Sequence, residues 1–210
     1  MPQNKLPRIY LNKAADRRLR NGHCWIYSNE IDNSRQPLKV LEQGASVFYV
    51  DHHFPGDIPE HENLTAIINE SADVCTAALV NGHLNGSHLD WAVTGAFGDN
   101  LHNTARTLAK GLDITPQDLT SLENLGTYIN YNGYGPTIED LHFDPEELYR
   151  RLYAAEGPLD FVQNSPDFEK LSTGYREDMA SAKKCQNGIE KRKQQYTFAN
   201  HWLRWKSANL

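Results

Sequence analysis

Cysteine is scarce in this chain: Cys24, Cys75 and Cys185 are odd in number, far apart and without CxxC spacing. That argues against a disulfide framework and a cysteine-based zinc site, and it suits a reducing cytoplasm. Each thiol reads as a small buried or half-buried side chain. No apolar run approaches the roughly 18 residues of a spanning helix. The opening MPQNKLPRIYLNKAADRRLR has no apolar core and no small-residue cleavage signal, so the expectation is a cytoplasmic protein that is neither exported nor membrane-embedded. Internal repeats and low-complexity tracts are also missing. What remains is a 210-residue chain, 39% hydrophobic, with enough apolar content for a real core.

The net charge of −6 conceals a division. Residues 1–40 carry eight Lys/Arg against three Asp/Glu, and residues 183–210 carry seven against one. The stretch between them holds six against twenty-three. Basic ends around an acidic middle imply either a polyanionic partner for the ends or ends that fold against the middle. The last segment, NGIEKRKQQYTFANHWLRWKSANL, interleaves Tyr196, Phe198, Trp202 and Trp205 with its cations. Such a mixture grips nucleic acid or an anionic membrane, or forms a terminal helix docked on the core or a poorly ordered tail, and the latter pair is favoured.

Apolar alternation predicts strands at RIYLNK (8–13), CWIYSNEI (24–31) and NLTAIIN (63–69). A basic helix over AADRRLRNG stops at Gly22. ASVFYVDHH is apolar until its end, the pattern of a strand buried on both faces in a parallel sheet. From Ser71 the period turns helical. Ser71 or Asp73 is the expected cap of ADVCTAALVNGHL, with Val74, Ala77, Ala78 and Leu84 on one side. HLDWAVTGAFGDN is a second helix that packs closely through Gly95, Ala96 and Gly98, and TARTLAKGL is a third. TPQDLTSLENLGTYINY starts with Thr115 as cap and Pro116 at its first position. NYNGYGP (130–136) reads as a loop, DPEELYRRLYAAEG as an Asp-capped helix, and SPDFEKLSTGYREDMASAKKC as a further helix.

The chemistry concentrates at Asp51, His52 and His53. Catalytic groups of α/β proteins gather at the carboxyl ends of parallel strands. Imidazole and carboxylate together suit manganese, iron, cobalt or zinc. A second acid is then needed, and GAFGDN supplies Asp99. HFDPE offers His142, Asp144 and Glu146 at alternate positions, but a helix N-terminus with Asp144 as cap is the better reading. His102 and Arg106 lie close behind Asp99, with surface pairing favoured over a site role for both.

VDHH and GAFGDN, with SADVCTAALV between them, resemble the DHH phosphoesterase superfamily over residues 45 to about 185. Members of that family hydrolyse phosphate esters or anhydrides with two divalent metals, usually manganese. The resemblance implies His52 and Asp99 as metal ligands, His53 as a contact to the scissile phosphate, and Asp51 as support for the histidines. It departs in two places: residues 1–44 hold no HxDxDG motif, and no Gly-Gly-His motif follows in the C-terminal region. Two protein ligands are too few for a metal pair, which must both acidify a water and clamp the phosphoryl oxygens.

RIYLNKAADRRLRNGHCWIYSNEID instead resembles the start of the PUA-like domain of the ribosomal-RNA large-subunit cytosine-5 methyltransferases, with Cys24 in place of a proline. That resemblance implies RNA binding, with Lys13, Arg17, Arg18 and Arg20 on phosphates. The expected organisation is a partial PUA-like segment at 1–44, a partial phosphoesterase domain at 45–185, and a basic aromatic tail at 186–210. The expected fold is α/β: a small β-rich piece, then a short, mostly parallel sheet covered by several helices. The expected function is a truncated or degenerate manganese-dependent phosphoesterase, active weakly or not at all alone, on nucleotide or nucleic-acid phosphodiesters. A non-catalytic RNA-binding protein is the alternative. Two partial families joined near Gly44 also fit a recombined or frame-disrupted reading frame.

Overall fold

The computed structural model describes residues 23–26, 41–42, 44, 46–135 and 137–189, with side chains described from 41 to 184. It divides into two compact units, residues 1–88 and 89–210. The expected strand at 8–13, the basic helix after it, and the tail beyond residue 189 lie outside the described residues.

In the first unit, β1 (His23–Ile26), β2 (Ser46–Asp51) and β3 (Leu64–Ile68) form a parallel sheet in the order β1-β2-β3. His23 pairs with Ser46 and Ile26 with Tyr49; on the other side Val47 pairs with Leu64 and Asp51 with Ile68. The sheet thus runs across position 44, since β1 precedes it and β2 follows. Its central strand has neighbours on both edges, and Val47, Tyr49, Val50 and Asp51 are all buried. That is why its sequence stays apolar rather than alternating. Val47 and Tyr49 share one face, two residues apart, and build a core with Leu41, flanked by Leu64 and Ile68.

Helix α1 (Thr76–His83) packs on β2, and the Phe48 and His83 rings sit 4.6 Å apart between centroids. It starts later than the expected caps Ser71 and Asp73. Val74 donates its N–H to the Ser71 carbonyl at 3.0 Å, closing a turn ahead of the helix. Cys75 becomes the N-cap, and its side chain accepts no capping bond. The buried members of α1 are Thr76 and Asn81, not the expected apolar row. The helix ends in a left-handed residue, Asn85 at φ 54°, with Gly86 N–H on the Asn81 carbonyl at 2.8 Å.

The second unit is helical: α2 (Leu89–Gly98), α3 (His102–Ala109), α4 (Pro116–Tyr131), a 3-10 turn at Ile138–Asp140, α5 (Pro145–Ala154), α6 (Pro158–Asn164) and α7 (Pro166–Ile189). α2 and α4 meet at glycines. A Cβ on Gly126 would stand inside contact distance of the Thr94 carbonyl and 2.9 Å from Gly98 N, so the two backbones touch without side chains between them. The expectation of close packing through small residues holds for Gly98 and the fully buried Ala96. Thr115 caps α4 in a reciprocal box with Asp118, and Asp144 caps α5 by accepting from the Glu146 and Glu147 amides. Leu148 and Leu152, one turn apart on α5, are buried with Leu125, Phe143, Phe161 and Leu171.

α4 ends at Tyr131, as the expected stretch TPQDLTSLENLGTYINY does, and Asn132 and Gly133 close its last turn on Tyr128 and Asn130. One expected boundary moves. α7 continues to Ile189, past the expected start of the tail.

Candidate functional site

Asp51 is the last residue of β2 and is 1% exposed. The strand's two-residue period puts it on the face of Tyr49, whose hydroxyl donates to Asp51 Oδ2 at 3.2 Å. The other oxygen, Oδ1, accepts the His52 N–H at 2.7 Å and the His53 N–H at 3.0 Å. His53 Nδ1 lies 3.0 Å from the same atom. One buried carboxylate therefore fixes the turn after the strand and the orientation of the second imidazole. With four donors converging on it, the carboxylate is a structural hub of this corner.

His52 turns the other way. Its Nδ1 sits 2.8 Å from Thr76 Oγ1 and receives the Thr76 N–H at 3.2 Å, at the first turn of α1. A helix start leaves amides without intrahelical partners, and Cys75 offers no side-chain cap, so the His52 ring fills that role from a distant point of the chain. The two imidazoles face each other with centroids 3.9 Å apart and planes tilted by 42°.

Burial, then the neighbouring His53 ring, hold the His52 imidazole below the ordinary histidine range, with Asp51 pulling the other way. Burial, then the Asp51 charge and hydrogen bond, push the Tyr49 phenol well above the usual tyrosine range. His53 is the exposed member, its side chain 49% accessible against 2% for Asp51.

One ligand atom from each of Asp51, His52 and His53 falls within 4.8 Å of the others. These residues suit the imidazole side of one divalent-cation site. They do not by themselves suit a metal pair: Asp51 is the only carboxylate of this group among the described residues, its Oδ1 accepts three donors and its Oδ2 accepts the Tyr49 hydroxyl.

Asp99 belongs to the second unit, in the turn that ends α2. Leu101 N–H reaches the Ala96 carbonyl at 2.8 Å and Asn100 N–H the Phe97 carbonyl at 3.0 Å, with Asn100 left-handed at φ 61°. Asp99 is thus the C-cap of a helix that reverses sharply at GDN. His102 Nε2 meets Asn100 Oδ1 at 2.9 Å, and its Nδ1 lies 3.2 Å from Glu123 Oε1. Arg106 also pairs with Glu123, at 3.6 Å, which gives both residues the surface pairing favoured for them. His142 bonds Asp178 at 3.0 Å, beside the Tyr131 hydroxyl on the same oxygen. With Asp144 serving as a cap, HFDPE is structural.

Lys13, Arg17, Arg18 and Arg20 lie outside the described residues. Two residues escaped the sequence reading. Tyr49 was signalled by its spacing from Asp51, one strand period away. Thr76 carried no signal, because 24 residues separate it from His52 and only the fold joins them.

No helix among the described residues is long and apolar enough to cross a membrane. A family model described as a PUA-like domain matches residues 9–54. The matched stretch takes in β1, β2 and the Asp51–His53 corner, ten residues beyond the expected junction at Gly44. No match supports the phosphoesterase resemblance, and neither curated proteins nor solved structures yield a similar protein. The comparisons therefore support a PUA-like segment, a class consistent with RNA binding, and that segment includes two of the three strands of the parallel sheet in a mixed α/β structure.

Proposed function

We propose that this chain is a degenerate metal-dependent phosphoesterase that keeps the histidine corner of the site and has lost the carboxylates needed for a second ion. The observation that supports this most is the buried Asp51 at the carboxyl end of the central parallel strand, holding two imidazoles side by side. A carboxylate behind an imidazole is the usual way to orient a metal ligand and raise its basicity. In this reading the corner holds one divalent cation through an imidazole, manganese by the resemblance, which when bound would polarise a phosphoryl oxygen. The chain's own part is to place an imidazole N–H where charge builds on that oxygen. Turnover by the chain alone is slow or absent, because one ion cannot stabilise both the attacking and the leaving oxygen. The substrates are nucleotide or nucleic-acid phosphodiesters, with RNA favoured over DNA.

The test is hydrolysis of a model phosphodiester with and without manganese. Manganese-dependent turnover abolished by His52→Ala establishes the enzyme. Turnover that persists in that variant removes the site from the account.

The PUA-like match favours a second reading, in which the chain binds RNA without catalysis and Lys13, Arg17, Arg18 and Arg20 contact phosphates. Neutralising Arg17, Arg18 and Arg20 should then weaken RNA binding at every sequence and flatten its salt dependence. Binding that is unchanged in the triple variant refutes this reading.

A further inference from the structure

We infer that the two adjacent imidazoles are locked in opposite tautomers, so that His53 presents a bare Nε2 and His52 presents an Nε2–H. The inference deepens the reading above and rests on it for the identity of the ligands, but the tautomers stand on hydrogen bonds alone.

The argument starts from groups whose protons cannot move. The Thr76 backbone amide always donates, and it points at His52 Nδ1 from 3.2 Å. A proton on Nδ1 would set two N–H groups head to head, so Nδ1 carries its lone pair and the ring proton of the neutral imidazole sits on Nε2. The Thr76 hydroxyl, 2.8 Å away, then serves as a second donor to the same nitrogen. His53 is fixed by the opposite logic. Its Nδ1 faces Asp51 Oδ1, which already accepts two backbone amides and is an acceptor only. Nδ1 must therefore donate, and Nε2 keeps the lone pair.

The chemistry follows. A metal ion needs a lone pair, and in the neutral pair His53 supplies it, backed by the Asp51 carboxylate. His52, pinned at the start of α1, is a hydrogen-bond donor suited to a phosphoryl oxygen or a metal-bound water. The helix end reinforces this, since its partial positive charge favours a neutral ring that accepts at Nδ1. The resemblance implies the reverse, with His52 on the metal and His53 on the phosphate. The hydrogen bonds exchange those roles, and Thr76 becomes the positioning residue that sets His52's.

The direct measurement is long-range proton–nitrogen NMR of the histidine rings in the full, metal-free chain, with His53→Gln to identify one ring. The expected spectrum has the downfield, unprotonated nitrogen at Nδ1 for His52 and at Nε2 for His53. Thr76→Val keeps the amide and removes the hydroxyl, and His52 should stay in the same form. An Nδ1–H on His52, or an Nε2–H on His53, overturns the inference, as does a tautomer change in Thr76→Val. Zinc, as a diamagnetic probe, should then shift His53 Nε2 strongly and His52 Nε2 little. The reverse shifts overturn the exchange of roles. Assigned tautomers that no cation perturbs uphold this inference and defeat the metal-site reading instead.

Discussion

Replacing Asp51 by alanine should loosen the sheet corner more than any other single change there. The substitution leaves the Tyr49 hydroxyl, buried against the core, without its acceptor, and it strips the amides of His52 and His53 of theirs. A buried donor left unpaired costs about 1–3 kcal/mol. The two amides are only partly buried, so water recovers some of their loss, and relief from burying a carboxylate offsets a little more. The net expectation is about 3 kcal/mol. Asp51→Asn keeps an oxygen for both amides and should cost about 1 kcal/mol. Hydrogen exchange read on β2 and β3 localises the effect to this unit. At a tenfold change per 1.4 kcal/mol, protection should fall roughly 100-fold in Asp51→Ala and roughly fivefold in Asp51→Asn. Protection within twofold of the parent in Asp51→Ala, or equal losses in the two variants, would refute the hub role.

Three other outcomes follow from the coordinates. Gly126→Ala forces a methyl against the Thr94 carbonyl and Gly98, so α2 and α4 must part; overpacking of this kind costs about 1–3 kcal/mol, and a urea midpoint unchanged from the parent would contradict the contact. Burial, then Asp178, raise the Tyr131 phenol, and burial, then Tyr128, raise that of Tyr175. A raised phenol stabilises the fold below the ordinary tyrosine pKa and loses that contribution as pH climbs through the folded value. Absorbance titration at 295 nm should therefore show some of the ten tyrosines silent at pH 11, fewer by one in Tyr131→Phe, and full ionisation without unfolding would contradict it. Phe54 is 80% exposed directly after the imidazoles; if the proposed function holds, Phe54→Ser should leave metal binding alone and weaken nucleotide binding by about 1–3 kcal/mol through loss of a stacked base, with unchanged affinity counting against that contact.

Much of this body was legible in the sequence because its signals are local. The β2 run, the Thr115–Pro116 start and the Asp144 cap each state their conformation within five or six residues. The start of α1 was misread because Ser71 and Asp73 suit a turn as well as a cap, and only the sheet decides between them. The site shows the same limit. Its first half, Tyr49 to His53, is a single strand end with its turn. Its second half, Thr76, arrives through tertiary folding, and with it the constraint that gives His52 a different proton from its neighbour.

The measurement that bears most directly on the proposed function is manganese binding by the full chain, read as loss of the free-ion resonance signal on titration. A degenerate site holding a single cation at the Asp51–His53 corner predicts one weakly bound ion per chain, lost in His53→Ala. Two ions per chain would contradict the degenerate site, and no binding at millimolar manganese would contradict a metal site of any kind.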